Sequence, residues 1–251
     1  MTNVTSISGV GSSKKIDLIR KIDLNRVDES GYQLIKNFGI DETEFKQQIK
    51  DLSNNKLYYS ERMNTDHHKF KILPFSDNFS EQVENGKFHT DFMFQDQSPS
   101  YIALLCLHPD PHFPLMGRNQ IVKVIDLYKA LNTVFSINVK DLLSIELPFT
   151  ISDKTYWKPL FYKDSNMNVC MKLHLSLLDK KKCSFMVNGF PFHAILDSLC
   201  NQLAKNIVLD KGDALIISNK IALHKRTECS IQFDDLGGFI SREMLTVRFD
   251  Y

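Results

Sequence analysis

The residues best suited to chemistry in this sequence are the imidazole and the carboxylate of the tripeptide His89-Thr90-Asp91. In a β-strand, residues two apart point to the same face, so these two side chains converge on one point. Two histidines and one carboxylate on one face of a metal suit Fe(II) and leave three coordination positions open. The candidate second histidine is His224, which follows Asp91 by 224 − 91 = 133 residues.

A second triplet of the same form, His108-Pro109-Asp110, is interpreted differently. Prolines on both sides of this aspartate favour a turn with an Asx-type cap over a strand. The segment 88–94 contains three phenylalanines and no proline, which predicts a strand that carries the metal pair. A buried polar cluster with satisfied hydrogen bonds is the structural alternative for the three metal-ligand candidates.

Local patterns predict the elements that must position these residues. Helices are predicted over 14–55, with the apolar set Ile16, Leu18, Ile19 and Ile22 and an acidic first turn at Asp41–Glu44, and over 121–135 and 193–204. Strands are predicted at 101–107, 145–151, 169–177, 183–188, 214–217 and 244–251, with turns at Asn188-Gly189 and 211–213. This mixture of elements predicts an α+β fold with a mainly antiparallel core, most simply a jelly roll (double-stranded β-helix) with flanking helices.

Composition excludes several classes of function. The 251 residues are 43% apolar and 24% charged, and 31 basic against 30 acidic residues give a net charge of +1. No strong field therefore attracts nucleic acid or anionic lipid, and no apolar run has the length of a membrane span. We expect one domain over 1–251, with a flexible tail at 1–13, a helical part at 14–85 and a jelly-roll core at 86–251.

The cysteine pattern indicates a reducing compartment. The five cysteines are odd in number, widely spaced and without a C-x-x-C pair. Disulfide frameworks and thiolate zinc sites are thus disfavoured, and we expect buried thiols in a cytoplasmic protein.

Longer motifs add a family resemblance. Phe88-His-Thr-Asp-Phe-Met-Phe94 followed by Tyr101-Ile-Ala-Leu-Leu-Cys-Leu-His-Pro-Asp-Pro111 resembles the first metal motif and next strand of the clavaminate synthase-like oxygenases, in the taurine dioxygenase group. Gly212-Asp-Ala-Leu-Ile-Ile-Ser-Asn-Lys-Ile-Ala-Leu-His-Lys-Arg226 resembles the second motif of that family, and Ser241-Arg-Glu-Met-Leu245 its R-x-L segment. The resemblance covers residues 86 to 251 and implies a jelly-roll fold.

The resemblance also implies ligands and cosubstrates. Iron(II) is expected on His89, Asp91 and His224, with 2-oxoglutarate and O₂ at the open positions. Arg242 is expected to hold the distal carboxylate of 2-oxoglutarate, with Arg248 as the runner-up, because an arginine fork binds a carboxylate at two points.

The sequence departs from the family pattern in two places. Arg242 follows His224 by 242 − 224 = 18 residues, a longer gap than the family pattern implies. The threonine that relatives use beside 2-oxoglutarate is missing, and Asn119 or Gln120 is the candidate polar replacement. Arg118 is a candidate for a substrate carboxylate.

Two further residues are expected near the site. Arg226, two residues after His224, is expected to orient the site or to contact the cosubstrate. Phe92 is a candidate wall of the substrate pocket. His174, between two leucines, is expected in the core or beside the ligands and not on the metal.

These residues predict an oxygenase that hydroxylates or desaturates an unactivated C–H bond of a small substrate, with release of succinate and CO₂. A free amino acid or amino-acid derivative is the substrate class that the resemblance implies. Asp91 argues against halogenation, because related halogenases lack this carboxylate. The alternatives are a jelly-roll binding or scaffold protein with a vestigial metal site, and a zinc hydrolase for which no general base was found.

Overall fold

The computed structural model describes residues 22–60, 64–95 and 97–251. Its helices, numbered in chain order, are α1 (Leu24–Ser30), α2 (Glu42–Leu52), α3 (Val124–Val134), α4 (Val139–Ser144) and α5 (Phe192–Leu203). Its strands are β1 (Tyr32–Ile35), β2 (His67–Lys71), β3 (Tyr101–His108), β4 (Asn119–Lys123), β5 (Glu146–Ile151), β6 (Lys154–Pro159), β7 (Phe161–Lys163), β8 (Val169–Met171), β9 (Met186–Val187), β10 (Phe190–Pro191), β11 (Lys205–Ile207), β12 (Ala214–Ser218), β13 (Ala222–Arg226), β14 (Ile231–Phe233), β15 (Phe239–Ser241) and β16 (Glu243–Phe249).

Two antiparallel sheets form the centre of the fold. One has five strands in the order β1-β12-β3-β16-β2, and the other has three in the order β11-β4-β13. The remaining strands pair as hairpins. The predicted α+β class with antiparallel pairing is therefore confirmed.

Three hydrophobic clusters hold these layers together. One lies between the two sheets, because it combines side chains of both; its members include Ile102, Leu104, Ile121, Leu215, Ile217, Ala222 and Met244. A second covers the other face of the five-stranded sheet with α1 and α2, through residues such as Val27, Phe45, Ile49, Ala103, Ile216 and Val247. The third packs α3, α4 and α5 against the hairpin strands and the three-stranded sheet. Burial of such surface contributes about 25 cal/mol per Å² of apolar area.

The N-terminal part differs from its prediction. The helix that begins after Asp41 is confirmed, and the Asp41 carboxylate accepts hydrogen bonds from the N–H groups of Thr43 and Glu44, both at 2.9 Å. However, strands β1 and β2 lie within residues 14–85, which were expected to be helical. Both strands pair with the central sheet, and such long-range pairing overrides local helical preference. Ile16, Leu18, Ile19 and the expected tail at 1–13 lie outside the described residues.

The bounds of three other predicted elements also differ from those in the structure. Residues 121–135 were predicted as one helix, but 119–123 form β4 between β11 and β13, and the helix begins at Val124. A short apolar run fits a buried strand as well as a helix, so periodicity alone could not separate them. The strands predicted at 169–177 and 183–188 shrink to β8 and β9.

Most of the remaining predicted elements are confirmed, and so is the expected burial of the cysteines. The strands β3, β5, β12 and β16 and the helix α5 lie where they were expected, and Asn188 and Gly189 both have positive φ in the β9–β10 turn. All five cysteines are free and buried. Within the described ranges, no helix combines the length and apolar character that a bilayer-spanning segment needs.

Candidate metal centre

His224 lies on a regular strand. It belongs to β13, where its neighbour across the ladder in β4 is Ile121. On the other side of β13, His224 exchanges two backbone hydrogen bonds with His89, each 3.1 Å from nitrogen to oxygen. The two imidazoles are therefore direct cross-strand neighbours, with ring centroids 4.4 Å apart.

His89 comes from a segment without strand assignment, residues 86–95, which we call the ligand segment. Its first part follows β13, since Gly86 N–H also donates to the Arg226 carbonyl at 2.9 Å. His89 Nδ1 lies 2.8 Å from the Lys87 carbonyl, which can only accept, so Nδ1 carries the proton. Nε2 is then left with a free lone pair, the form that binds a metal.

The predicted strand over 88–94 is wrong. Only isolated bridges at His89 form, and residues 91–94 make a turn in which Phe92 has a positive φ of 54°. Asp91 therefore reaches the histidines from a turn and not by the two-residue repeat of a strand. The reason is tertiary, because the Asn219 side chain takes over the hydrogen bonds of the Asp91 backbone.

The three predicted ligands form a compact cluster. Their ligand atoms all lie within 4.8 Å of one another. Asp91 Oδ1 lies 3.4 Å from His89 Nε2 and 3.5 Å from His224 Nε2. The side chains are 27% (His89), 11% (Asp91) and 13% (His224) exposed, so one side of the cluster stays reachable. Two imidazole nitrogens and one carboxylate oxygen are a donor set that fits Fe(II).

Arg248 contacts the other oxygen of the same carboxylate. Its Nε lies 2.5 Å from Asp91 Oδ2, and its guanidinium lies over the Phe92 ring, 5.1 Å from the centroid. Burial by itself would raise the pKa of Asp91, but the Arg248 guanidinium holds that pKa well below its ordinary value. The carboxylate is thus ionised, with Oδ1 facing the histidines and Oδ2 bound to arginine.

The surroundings of His224 and His174 favour neutral rings. Burial, followed by the neighbouring His89, lowers the pKa of His224. His174 packs on His89 with ring centroids 4.8 Å apart, and burial and His89 lower its pKa to about 3. Its position beside the ligands agrees with one of the two expectations from sequence, and the bridge that joins it to His89 is a long-range pairing without a local signal.

A separate buried cation lies at Arg242. This residue is 2% exposed, its Nη2 donates to Asn119 Oδ1 at 3.1 Å, and burial lowers its pKa. The Asn119 Nδ2 and Arg118 Nε atoms are buried and find no hydrogen-bond partner among the described residues. An unpaired buried donor beside a guanidinium, as at Asn119, is costly unless an anion accepts from it. Asn119 is also opposite Arg226 in the β4–β13 ladder, two positions along from the pair formed by Ile121 and His224.

The remaining candidates have structural contacts. The Arg226 guanidinium donates to the carbonyls of Gln82, Val83 and Thr227 at 2.6, 3.4 and 2.9 Å, and so fixes the chain before the ligand segment. The Phe92 ring packs on Tyr58 with centroids 4.7 Å apart. The second triplet forms the expected Asx turn, in which Asp110 Oδ1 accepts from His112 N–H at 2.9 Å.

Comparison with known proteins identifies the fold. No protein-family model matches this sequence, and no curated protein matches it. Asparagine oxygenase in complex with Fe(II), 2S,3S-3-hydroxyasparagine and succinate superposes with a TM-score of 0.72 at 15% identity, over 95% of this chain and 79% of that chain. The non-heme iron oxygenase OrfP with Fe, succinate and (3S)-hydroxy-L-Arg gives 0.63 at 15% identity, over 96% and 86%. The same oxygenase with Fe and alpha-ketoglutaric acid gives 0.63 at 16%, over 94% and 79%. The chain therefore has the fold of non-haem iron oxygenases, and the resemblance is confirmed at that level.

Proposed function

We propose that this chain is an Fe(II)/2-oxoglutarate-dependent oxygenase that hydroxylates an unactivated C–H bond of a free amino acid or an amino-acid derivative. The observation that carries the proposal is the His89, Asp91 and His224 cluster, whose ligand atoms lie within 4.8 Å of one another on the fold of iron oxygenases. The balanced reaction consumes substrate, 2-oxoglutarate and O₂ and yields hydroxylated product, succinate and CO₂. Bound iron and cosubstrate supply the activation of O₂; the protein supplies ligands, position and shelter from water.

The cosubstrate site is proposed at Arg242. A buried guanidinium that makes no ion pair within the described chain, with the unpaired Asn119 Nδ2 beside it, suits the distal carboxylate of 2-oxoglutarate. Asn119 would then supply the polar contact to 2-oxoglutarate that relatives make with a threonine. Arg248, the runner-up, is engaged by the Asp91 carboxylate, which favours Arg242.

Substrate class and reaction type rest on the structural neighbours. Asparagine oxygenase was solved with 3-hydroxyasparagine, and OrfP with hydroxylated arginine. Hydroxylation of an amino acid is therefore the reaction that we propose, and desaturation is the second outcome. Asp91 in the cluster agrees with both and not with halogenation.

The sheet architecture and the free cysteines support proposals for the domain and for the cellular compartment. We propose that the two sheets, which share one hydrophobic cluster, form the double-stranded β-helix of a single oxygenase domain over residues 1–251. A cytoplasmic setting agrees with five free cysteines, because a reducing compartment keeps thiols unpaired.

The first test is an anaerobic titration with Fe(II) and 2-oxoglutarate, monitored by the visible charge-transfer band of their chelate. Wild type should give the band, and His89→Ala should not. Arg242→Ala should need at least tenfold more 2-oxoglutarate, since a charge-assisted pair contributes roughly 1.5–3 kcal/mol. Arg26→Ala, at an exposed arginine of α1, is the matched control and should titrate like wild type.

The outcomes separate the alternatives. If wild type gives the charge-transfer band, a screen of free amino acids for substrate-dependent succinate formation tests the substrate class. A folded, iron-loaded wild type without a band would contradict the oxygenase and favour a binding or scaffold protein with a vestigial site. A band with no response to any amino acid would contradict only the substrate class.

A further inference from the structure

One side chain ties the Asp91 turn to the strand pair that carries His224. The Asp91 N–H donates to Asn219 Oδ1 at 2.7 Å, and Asn219 Nδ2 donates back to the Asp91 carbonyl at 3.0 Å. The same Nδ2 donates to the Pro99 carbonyl at 2.9 Å. We infer that Asn219 is a positioning residue for the metal centre, which holds Asp91 in register with the two histidines.

Both donors and the acceptor oxygen of the Asn219 amide are engaged by these contacts. Its oxygen accepts one main-chain hydrogen bond, and its two N–H groups donate to two main-chain carbonyls. The residue is only 3% exposed, so water cannot replace a lost partner cheaply. In effect, the side chain imitates a neighbouring strand, because it pairs with both the N–H and the C=O of one residue.

This contact falls where regular pairing ends. The ligand segment follows β13 up to His89, and Thr90 N–H then donates to the Leu173 carbonyl at 2.8 Å. Beyond Asp91, the main chain of the turn makes contacts within the loop, such as Gln95 N–H to the Phe92 carbonyl at 3.0 Å and the Ser98 hydroxyl to the same carbonyl at 2.8 Å, and the Gln95 carbonyl accepts from Lys172 Nζ at 3.2 Å. Without the Asn219 amide, the backbone of Asp91 loses its hydrogen bonds to the rest of the fold.

The position of Asn219 in the chain couples the ligands. It lies between β12 and β13, five residues before His224, and its own N–H donates to the Ser100 carbonyl at 2.8 Å. The turn that precedes His224 therefore holds the backbone of Asp91 in place through the Asn219 side chain. Outer contacts of this kind fix ligand geometry, and their loss typically lowers metal affinity by about 10–100-fold.

The inference rests on the proposed metal site, and its test uses metal alone. Apo-protein would be titrated anaerobically with Co²⁺, without 2-oxoglutarate, and followed by the visible d–d bands. Asn219→Ala should bind Co²⁺ at least tenfold more weakly than wild type. Its spectrum should also shift towards that of Asp91→Ala, since the carboxylate ligand is the one released.

Gln33→Ala is the matched control. Gln33 is also a buried amide, 7% exposed, and its Oε1 accepts the Asp23 N–H at 2.8 Å away from the metal ligands. It should lose thermal stability but keep the Co²⁺ affinity and spectrum of wild type. Asn219→Ser has a shorter side chain whose hydroxyl can make only part of these hydrogen bonds, so its affinity should lie between those of wild type and Asn219→Ala, and it serves if the alanine variant does not fold.

The outcomes are distinct. Wild-type protein that binds no Co²⁺ at all would contradict the proposed function itself. Wild-type and Asn219 variants with affinities within twofold of each other would overturn only the positioning role. Equal losses in Asn219→Ala and Gln33→Ala would also overturn it, because general destabilisation would then explain both.

Discussion

The two segments that supply the proposed metal ligands are built in different ways. His224 lies on β13, a regular strand paired with β4 along its length, and it follows β12, whose five residues are all buried. His89 and Asp91 lie on the ligand segment, which has two bridges at His89, a turn and a residue with positive φ. The first region is held by a repeated backbone ladder and a hydrophobic core. The second is held by single side chains that reach in from other parts of the fold.

This contrast has a functional reason. A ladder would keep residues 89 and 91 about 6.6–7 Å apart along the strand and would not by itself bring the Asp91 carboxylate within 3.5 Å of both imidazoles. A turn held by Asn219 on its backbone and Arg248 on its carboxylate can do so. We therefore expect core substitutions to affect stability and substitutions of the holding side chains to affect metal affinity.

The largest expected effect is at Ile216 in the centre of β12, which is fully buried. Ile216→Ala should lower the free energy of unfolding by about 2–5 kcal/mol, because it removes apolar surface and leaves a cavity. Urea unfolding would measure this, and Co²⁺ affinity of the folded protein should stay within twofold. Phe75→Ala, at a side chain 99% exposed, is the control without a stability change. A tenfold loss of affinity in Ile216→Ala would contradict the separation of the two regions.

A smaller effect is expected at Arg226, which holds the chain ahead of the ligand segment. Loss of its bonds to three carbonyls should weaken Co²⁺ binding about tenfold, with a drop in unfolding free energy of about 1–2 kcal/mol. Arg226→Lys should not restore affinity, because an ammonium lacks the planar fork that bridges several acceptors. Arg26→Ala, at the exposed arginine of α1, is the matched control. Unchanged affinity in Arg226→Ala would show that the segment holds its position without this arginine.

The smallest effect is a difference in thiol reactivity. Burial raises the pKa of Cys106, in β3, to about 11 and also raises that of Cys229, which lies outside the strands. Both should resist iodoacetamide at neutral pH, since the thiolate is the reactive form. Cys229 should label first, because irregular segments open locally at lower cost than core strands. Mass spectrometry of partially labelled protein would measure the order, and earlier labelling of Cys106 would contradict the comparison.

The predictions from sequence succeeded where local pattern and final structure agree. The strand β12, the helix α5 and the cap at Asp41 each have a local signal, and each lies where it was expected. The strand expected at 88–94 failed because aromatic residues with strand preference were placed in a turn by a partner 128 positions away. The helix expected to start at residue 121 failed because a strand and a helix share one apolar run, and pairing with β13 decided the boundary.

The sequence by itself determined the chemistry that is possible here. It supplies two imidazoles and a carboxylate in recognisable motifs, five cysteines without a C-x-x-C pair, and a near-neutral charge, and these depend on residue identity alone. Tertiary structure decided which groups meet. It brought the Asp91 carboxylate within 3.5 Å of His224, which lies 133 residues later in the chain. It also paired Arg248 with the same carboxylate and placed Arg242 in contact with Asn119. Such contacts arise from long-range packing and strand register, which no local window of sequence specifies.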